Sequence, residues 1–257
     1  MFRKNVILLI VLSFLGAILL SHSLETFSKH NFLPENDLWK QDCLNCKGAT
    51  TGISEETFNM IVDAAYRLYK PISAANDEEL VINPNWEDST VNASCSRSMG
   101  VVQVEMYGGL ARREEITAEG FVLVLCHELS HAYGGTPYVR TYSKVSSEGQ
   151  ADYMAAKECA KKIFTKISLP ASDNNLTVYI KKACAGNKIC LSSLTGGQSL
   201  GNLLATIKSE PTPNFETPDQ TVVEKINLSY PDTVQCRVDT LHNGALGRDR
   251  PLCWFKP

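Results

Sequence analysis

Phe121-Val-Leu-Val-Leu-Cys-His-Glu-Leu-Ser-His-Ala-Tyr133 sets two imidazoles and a carboxylate inside an otherwise apolar stretch of helical character. Polar groups taken out of water without partners are costly, so a helix of this kind must be met by groups that satisfy them. His127 and His131 are four residues apart and lie on nearly the same helix face. From that face they can chelate one Zn²⁺, and Glu128 at its edge can take a proton from a water activated there and return it to a leaving amine. Such an ion needs a third protein ligand from another element. Pro137 stands where the extended pattern H-E-x-x-H-x-x-G-x-x-H has its last histidine, and proline binds no metal. Glu148, in Ser147-Glu-Gly-Gln-Ala-Asp152, is the expected third ligand, at the start of a helix able to return antiparallel to the first. Asp152, four residues on, is placed to accept a hydrogen bond from the far nitrogen of a zinc-bound histidine. His242 is the rival third ligand, in what reads as a polar tail loop.

The flanking sequence gives coarse boundaries. Ser54 is an expected N-cap for an amphipathic helix through Phe58, Ile61, Val62, Ala65, Leu68 and Tyr69, ending near Pro71. Residues 73–98 read as loop, and Val101–Tyr107 as a strand closed by Gly108-Gly109. Thr117 opens the apolar helix and Gly134-Gly135 ends it. Ser147 with Gln150 three residues later matches a capping box, opening a helix to about Ile167. Further helices are expected near 174–185 and 199–208, a linker-like loop over 210–220, and an irregular cross-linked tail to Pro257.

Before all this, Arg3 and Lys4 precede an apolar run from Val6 to Leu20, and Ser21 and Ser23 have the small-residue spacing of a cleavage site. Residues 1–23 read as a secretory signal peptide, the alternative being an uncleaved signal anchor. Residues 24–50 read as a polar, irregular extension and 51–257 as the metal-binding domain. Nine cysteines, all beyond residue 23, suit a secreted or periplasmic compartment where disulfides persist. Nine is odd, so at least one thiol is left over. Short loops favour Cys184–Cys190 and Cys236–Cys253, and Cys126 is expected to be buried or bridged rather than a ligand. Net charge is −3, from 25 Lys+Arg against 28 Asp+Glu, which excludes a nucleic-acid binder built on phosphate neutralisation. The triplets at Asn92, Asn175 and Asn227 mark exposed loops if the host glycosylates secreted proteins.

His127–His131 followed by Glu148-x-x-Ala151-Asp152 resembles the gluzincin zinc peptidases, in particular the branch of HtpX and the CAAX prenyl proteases. Gly100-Val-Val-Gln-Val-Glu-Met-Tyr-Gly-Gly-Leu110 looks like that family's strand before the zinc helix, and Ser229-Tyr230-Pro231 with Arg237, Val238 and Leu241 like its later S/T-H-P…R segment. The resemblance implies one Zn²⁺ per chain held by His127, His131 and Glu148, a peptide or protein substrate, and endopeptidase activity. It also implies that Val101–Tyr107 pairs with an extended substrate, the alternative being an ordinary core strand. Tyr230 replaces the family's histidine. Its hydroxyl can still steady an oxyanion, as can Arg237, or the two can serve as a packing residue and an ion-pair partner. The expected fold is α+β, mostly helical and disulfide-stapled, with a small sheet beside the zinc helix. A zinc-bearing but catalytically silent peptide- or envelope-binding protein is the alternative function.

Overall fold

The structure, a computed structural model, describes residues 29–36, 38, 52–142, 144–169 and 177–257. The expected signal segment, Cys43, Cys46 and Asn175 lie outside these residues. The fold is mixed α and β. A four-stranded sheet has the order β1-β3-β4-β2, with β1 His30–Asn31, β2 Glu79–Asn85, β3 Ala93–Ser98 and β4 Val101–Tyr107. β3 is antiparallel to both β1 and β4, and β2 is parallel to β4. α1 Glu55–Ala74 follows β1, and α2 Gly108–Ala111 follows β4. α3 Ala118–Tyr133 crosses beneath the sheet, and a hairpin of β5 Tyr138–Arg140 and β6 Val145–Ser146 leads into α4 Glu148–Met154. α4 runs through a π-helical turn, Ala155–Cys159, into α5 Ala160–Lys166. α6 Val178–Cys184, α7 Lys188–Lys208 and α8 Val234–Leu246 complete the helical layer.

α3 is the core of the molecule. Ala118 to Ala132 are all buried, which a helix apolar on nearly every side requires. Thr117 caps its N-terminus by accepting from Gly120 N, and Gly134 closes it. α3 meets α7 backbone to backbone: a Cβ on Gly196 would stand 2.6 Å from the Glu119 carbonyl oxygen, so only glycine permits that crossing. Among the described residues, no helix is long and apolar enough to cross a membrane.

Several boundaries differ from expectation. Residues 73–98 are not a loop: they hold β2 and β3. Pro84 marks β2 as an edge strand, where a missing N–H costs no ladder bond, rather than as non-strand. α1 passes through Pro71 to Ala74. The capping box at Ser147 does not form: Gln150 donates instead to the Gly134 carbonyl and accepts from Arg250, tying α4 to the end of α3 and to the tail. The tail carries α8, with Val234, Val238, Leu241 and Ala245 buried along one face. The extension is not merely surface-hugging, because Phe32 and Leu33 are completely buried. Asn92 is no open glycosylation loop: its amide is bonded to both the N–H and the carbonyl of Leu33.

Among the described residues, three disulfides staple this frame: Cys126–Cys159, Cys184–Cys190 and Cys236–Cys253. The last two match the short-loop expectation. Cys95 is the free thiol among the described residues, and it is buried.

His242 is not in a loop but on α8, buried, with Nε2 hydrogen-bonded to the Tyr179 hydroxyl at 2.8 Å and its ring stacked on Phe215. It is therefore no metal ligand here. Burial, with help from Arg248, lowers its pKa to about 4. The unfolded chain takes up the proton near pH 6.5 while the fold refuses it until about 4, so stability falls as pH drops through that window. The expected loss is on the order of 2 kcal/mol, missing in His242→Gln; parallel urea titrations of both chains from pH 7 to pH 4 check it.

Candidate metal centre

Four elements converge on one point. α3 contributes His127, Glu128 and His131; α4 contributes Glu148 and Asp152; α8 contributes Arg237; β1 contributes His30. Ser147 is the N-cap of α4, which puts Glu148 at its first residue, where the helix dipole favours a carboxylate.

The two α3 imidazoles are oriented from behind. His127 Nδ1 donates to Asp152 Oδ1 at 2.7 Å, and His131 Nδ1 donates to the Ser146 carbonyl at 2.9 Å. With both Nδ1 atoms used as donors, the Nε2 atoms point into the site. Glu148 stands between them. Its Oε2 is 3.3 Å from His127 Nε2 and its Oε1 is 3.6 Å from His131 Nε2. The ligand atoms of His30, His131 and Glu148 lie within 4.8 Å of one another, and Oε1 of Glu148 is 3.9 Å from His30 Nδ1. Glu148 is thus shared: one oxygen faces His127, the other His131 and His30.

A divalent cation fits this donor set. His127 Nε2, His131 Nε2, Glu148 Oε2 and both oxygens of Glu128 are buried and make no hydrogen bond. Buried polar atoms are nearly always bonded, and a cation held between the imidazoles and Glu148 would satisfy those of the ligands. Two imidazoles and a carboxylate with a carboxyl group beside them form a zinc-type set, although the donors alone do not fix which metal binds.

The charges of the cluster act strongly on one another. Burial lowers the His127 pKa, but Asp152 and Glu148 outweigh this and raise it to about 9. His127 must therefore release its Nε2 proton to act as a ligand. Burial brings His131 down to about 4. Burial also raises Glu128 to about 8, with Glu148 and Asp152 adding to it against His127. For Glu148 burial is outweighed by His131 and His127, which hold its carboxyl well below the usual range.

Asp152 and Arg237 form the support. Arg237 Nε donates to Asp152 Oδ2 at 2.8 Å and a terminal guanidinium N–H to Oδ1 at 2.9 Å, with both residues buried. Arg237 also donates to the Phe32 carbonyl at 3.1 Å. The pair lowers the Asp152 pKa and raises that of Arg237, each against its own burial. Arg237 is thus the ion-pair partner that the sequence allowed as one of two roles. The Tyr230 hydroxyl donates to the Asn31 carbonyl and its ring lies 5.6 Å from the Arg237 guanidinium. β4 lies between β3 and β2 with both edges paired, so Val101–Tyr107 is a core strand with no edge for a substrate. Both β3 and β4 pack on α3, β3 the more extensively.

His30 was not legible as a site residue. The one sequence signal near it is the apolar pair Phe32-Leu33 in an otherwise polar stretch. A second group of donors, Asp219, Cys236 and Cys253, is no metal site, because both sulfurs are in a disulfide. No family model, no curated protein and no solved structure matches the chain.

The support is sensitive to packing. Gly149 follows Glu148, and a Cβ there would stand 2.4–2.6 Å from the Trp254 ring. Gly149→Ala is expected to cost about 1–3 kcal/mol by overpacking and to weaken metal binding through displaced Glu148. A thermal melt with and without added zinc checks both.

Proposed function

We propose that the chain is an exported zinc-dependent endopeptidase of gluzincin type. The observation that carries this reading is the gathering of His131 and Glu148 with His30 into one metal-sized group, with His127 Nε2 3.3 Å from the other Glu148 oxygen. His127, His131 and Glu148 would hold one Zn²⁺ per chain. When bound, the ion supplies an acidified water and polarises a peptide carbonyl. Glu128, next to His127 on α3, would serve as base and then acid. Asp152 keeps the His127 ring in its ligating orientation, and Arg237 keeps Asp152 ionised. Three disulfides support an oxidising compartment, secreted or periplasmic, reached through the segment of residues 1–23, cleaved or retained as an anchor.

Elemental mass spectrometry on the purified full chain tests the reading. About one zinc is expected, lost in Glu148→Ala. Glu128→Gln is expected to keep its zinc and lose peptide hydrolysis by about 10²–10⁴-fold. Retained turnover in that variant would sink the peptidase assignment. The bond from the Tyr230 hydroxyl to the Asn31 carbonyl favours a second reading, a zinc-bearing protein that binds peptides without cutting them. That reading has no use for Glu128, so under it Glu128→Gln changes neither metal nor peptide binding.

A further inference from the structure

We infer that His30 is a fourth ligand to the metal, carried by a strand of the chain itself that lies where a peptide substrate would bind, so that the folded chain is latent. The inference rests on the zinc-peptidase reading above. Extended peptides bind sheet edges through main-chain hydrogen bonds, with pockets for alternate side chains giving specificity. The outer edge of β3, next to α3, is the edge beside the metal cluster, and β1 fills it. His30 is opposite Cys95 and Asn31 opposite Ser94, and Phe32 N donates to the Ala93 carbonyl at 3.0 Å. Leu33 is held at both its N–H and its carbonyl by the Asn92 amide. The carbonyls of Asn31 and Phe32 are taken by Tyr230 and Arg237. Those are the two residues that the sequence offered as oxyanion donors, and here both are occupied by carbonyl oxygens of the chain's own N-terminal strand.

The side chains complete the occlusion. Phe32, fully buried, stands edge-on to the His127 ring at 5.1 Å and under the Arg237 guanidinium at 4.8 Å. His30 lies against the His131 ring at 4.9 Å, with Nδ1 3.9 Å from Glu148. A tetrahedral zinc site with bonds of about 2.0–2.1 Å sets its donors about 3.3–3.5 Å apart, so the three donors gathered within 4.8 Å need only small movements to close on one ion. Glu128 is meanwhile completely buried. Turnover therefore requires the strand of residues 30–33 to leave the β3 edge.

Ring ¹⁵N shifts of the histidines in the full wild-type chain, followed while zinc chloride is added, test the ligand. His30, His127 and His131 are expected to shift together, at one equivalent. Shifts at His127 and His131 with His30 unmoved would overturn the inference and leave the zinc site standing. Shifts at none of the three would overturn the zinc site itself. The second arm is His30→Gln, which keeps the side chain polar and of similar reach. Its hydrolysis of an unstructured peptide is expected to rise about tenfold or more, as the open fraction grows. Unchanged or slower hydrolysis in a chain that retains its zinc would overturn latency.

Discussion

Replacing Asp152 with alanine is expected to cost about 3–5 kcal/mol of folding stability, because it leaves the Arg237 guanidinium buried without its counter-charge. That is a large share of the roughly 5–15 kcal/mol that holds an ordinary domain folded. Asp152 accepts three hydrogen bonds through two oxygens, one from His127 and two from Arg237. The loss therefore reaches the metal as well as the fold. Without Asp152 the His127 Nδ1 loses its acceptor, and zinc affinity is expected to fall about 10–100-fold. Asp152→Asn keeps the shape and one acceptor and is expected to lie between. The decisive comparison is the pair Asp152→Leu with Arg237→Met. Removing both charges together abolishes the unpaired ion, so the double variant should recover most of the folding stability while its zinc affinity stays low. Urea titration and chelator competition on the same three proteins read the two quantities separately. A loss of under about 1 kcal/mol in Asp152→Ala would mean that the pair is not the support described here.

The sequence carried the part of this site that is periodic. His127 and His131 share a helix face because they are four apart, and Asp152 follows Glu148 at the same interval, so both relations survive any detail of tertiary packing. Val101–Tyr107 is also where alternation put it, with Val102, Val104 and Met106 inward and Glu105 bonded to Asn83 and Asn85 on the other side. What failed depended on partners far along the chain. β3, Ala93-Ser-Cys-Ser-Arg-Ser98, has little strand propensity and exists because β1 and β4 flank it. β2 carries Pro84, which breaks the reading of a strand from sequence but is tolerated at a sheet edge. α8 had a readable apolar spacing behind the Thr233 cap, and was missed because its other face is polar and the cysteines suggested an irregular tail. Gln150 had a local partner in Ser147 and took distant ones instead. His30 is the extreme case: nearly a hundred residues separate it from α3, and no local pattern can announce a contact of that kind.

The Cys126–Cys159 bridge should matter most among the three disulfides, both for stability and for the metal. Its sequence separation is 33, against 6 for Cys184–Cys190. In the chain-entropy account a closed loop of the longer kind stabilises by about 3–4 kcal/mol and the shorter by about 2. The positions differ more than the loop lengths do. Cys126 immediately precedes His127 on α3, and Cys159 closes the π-helical turn that continues the helix of Glu148 and Asp152. The bridge thus ties together the two helices that supply the described ligands of α3 and α4. In the double variant Cys126→Ala with Cys159→Ala, stability is expected to fall by about 3–4 kcal/mol. Zinc affinity should fall with it even where the chain stays folded, because the distance from His127 to Glu148 is no longer clamped. The matching variant at Cys184 and Cys190, on α6 and α7, is expected to lose stability alone. Denaturation midpoints and zinc affinity measured on both double variants separate these effects. Equal zinc affinity in the two would show that helix packing, rather than the bridge, sets the ligand spacing.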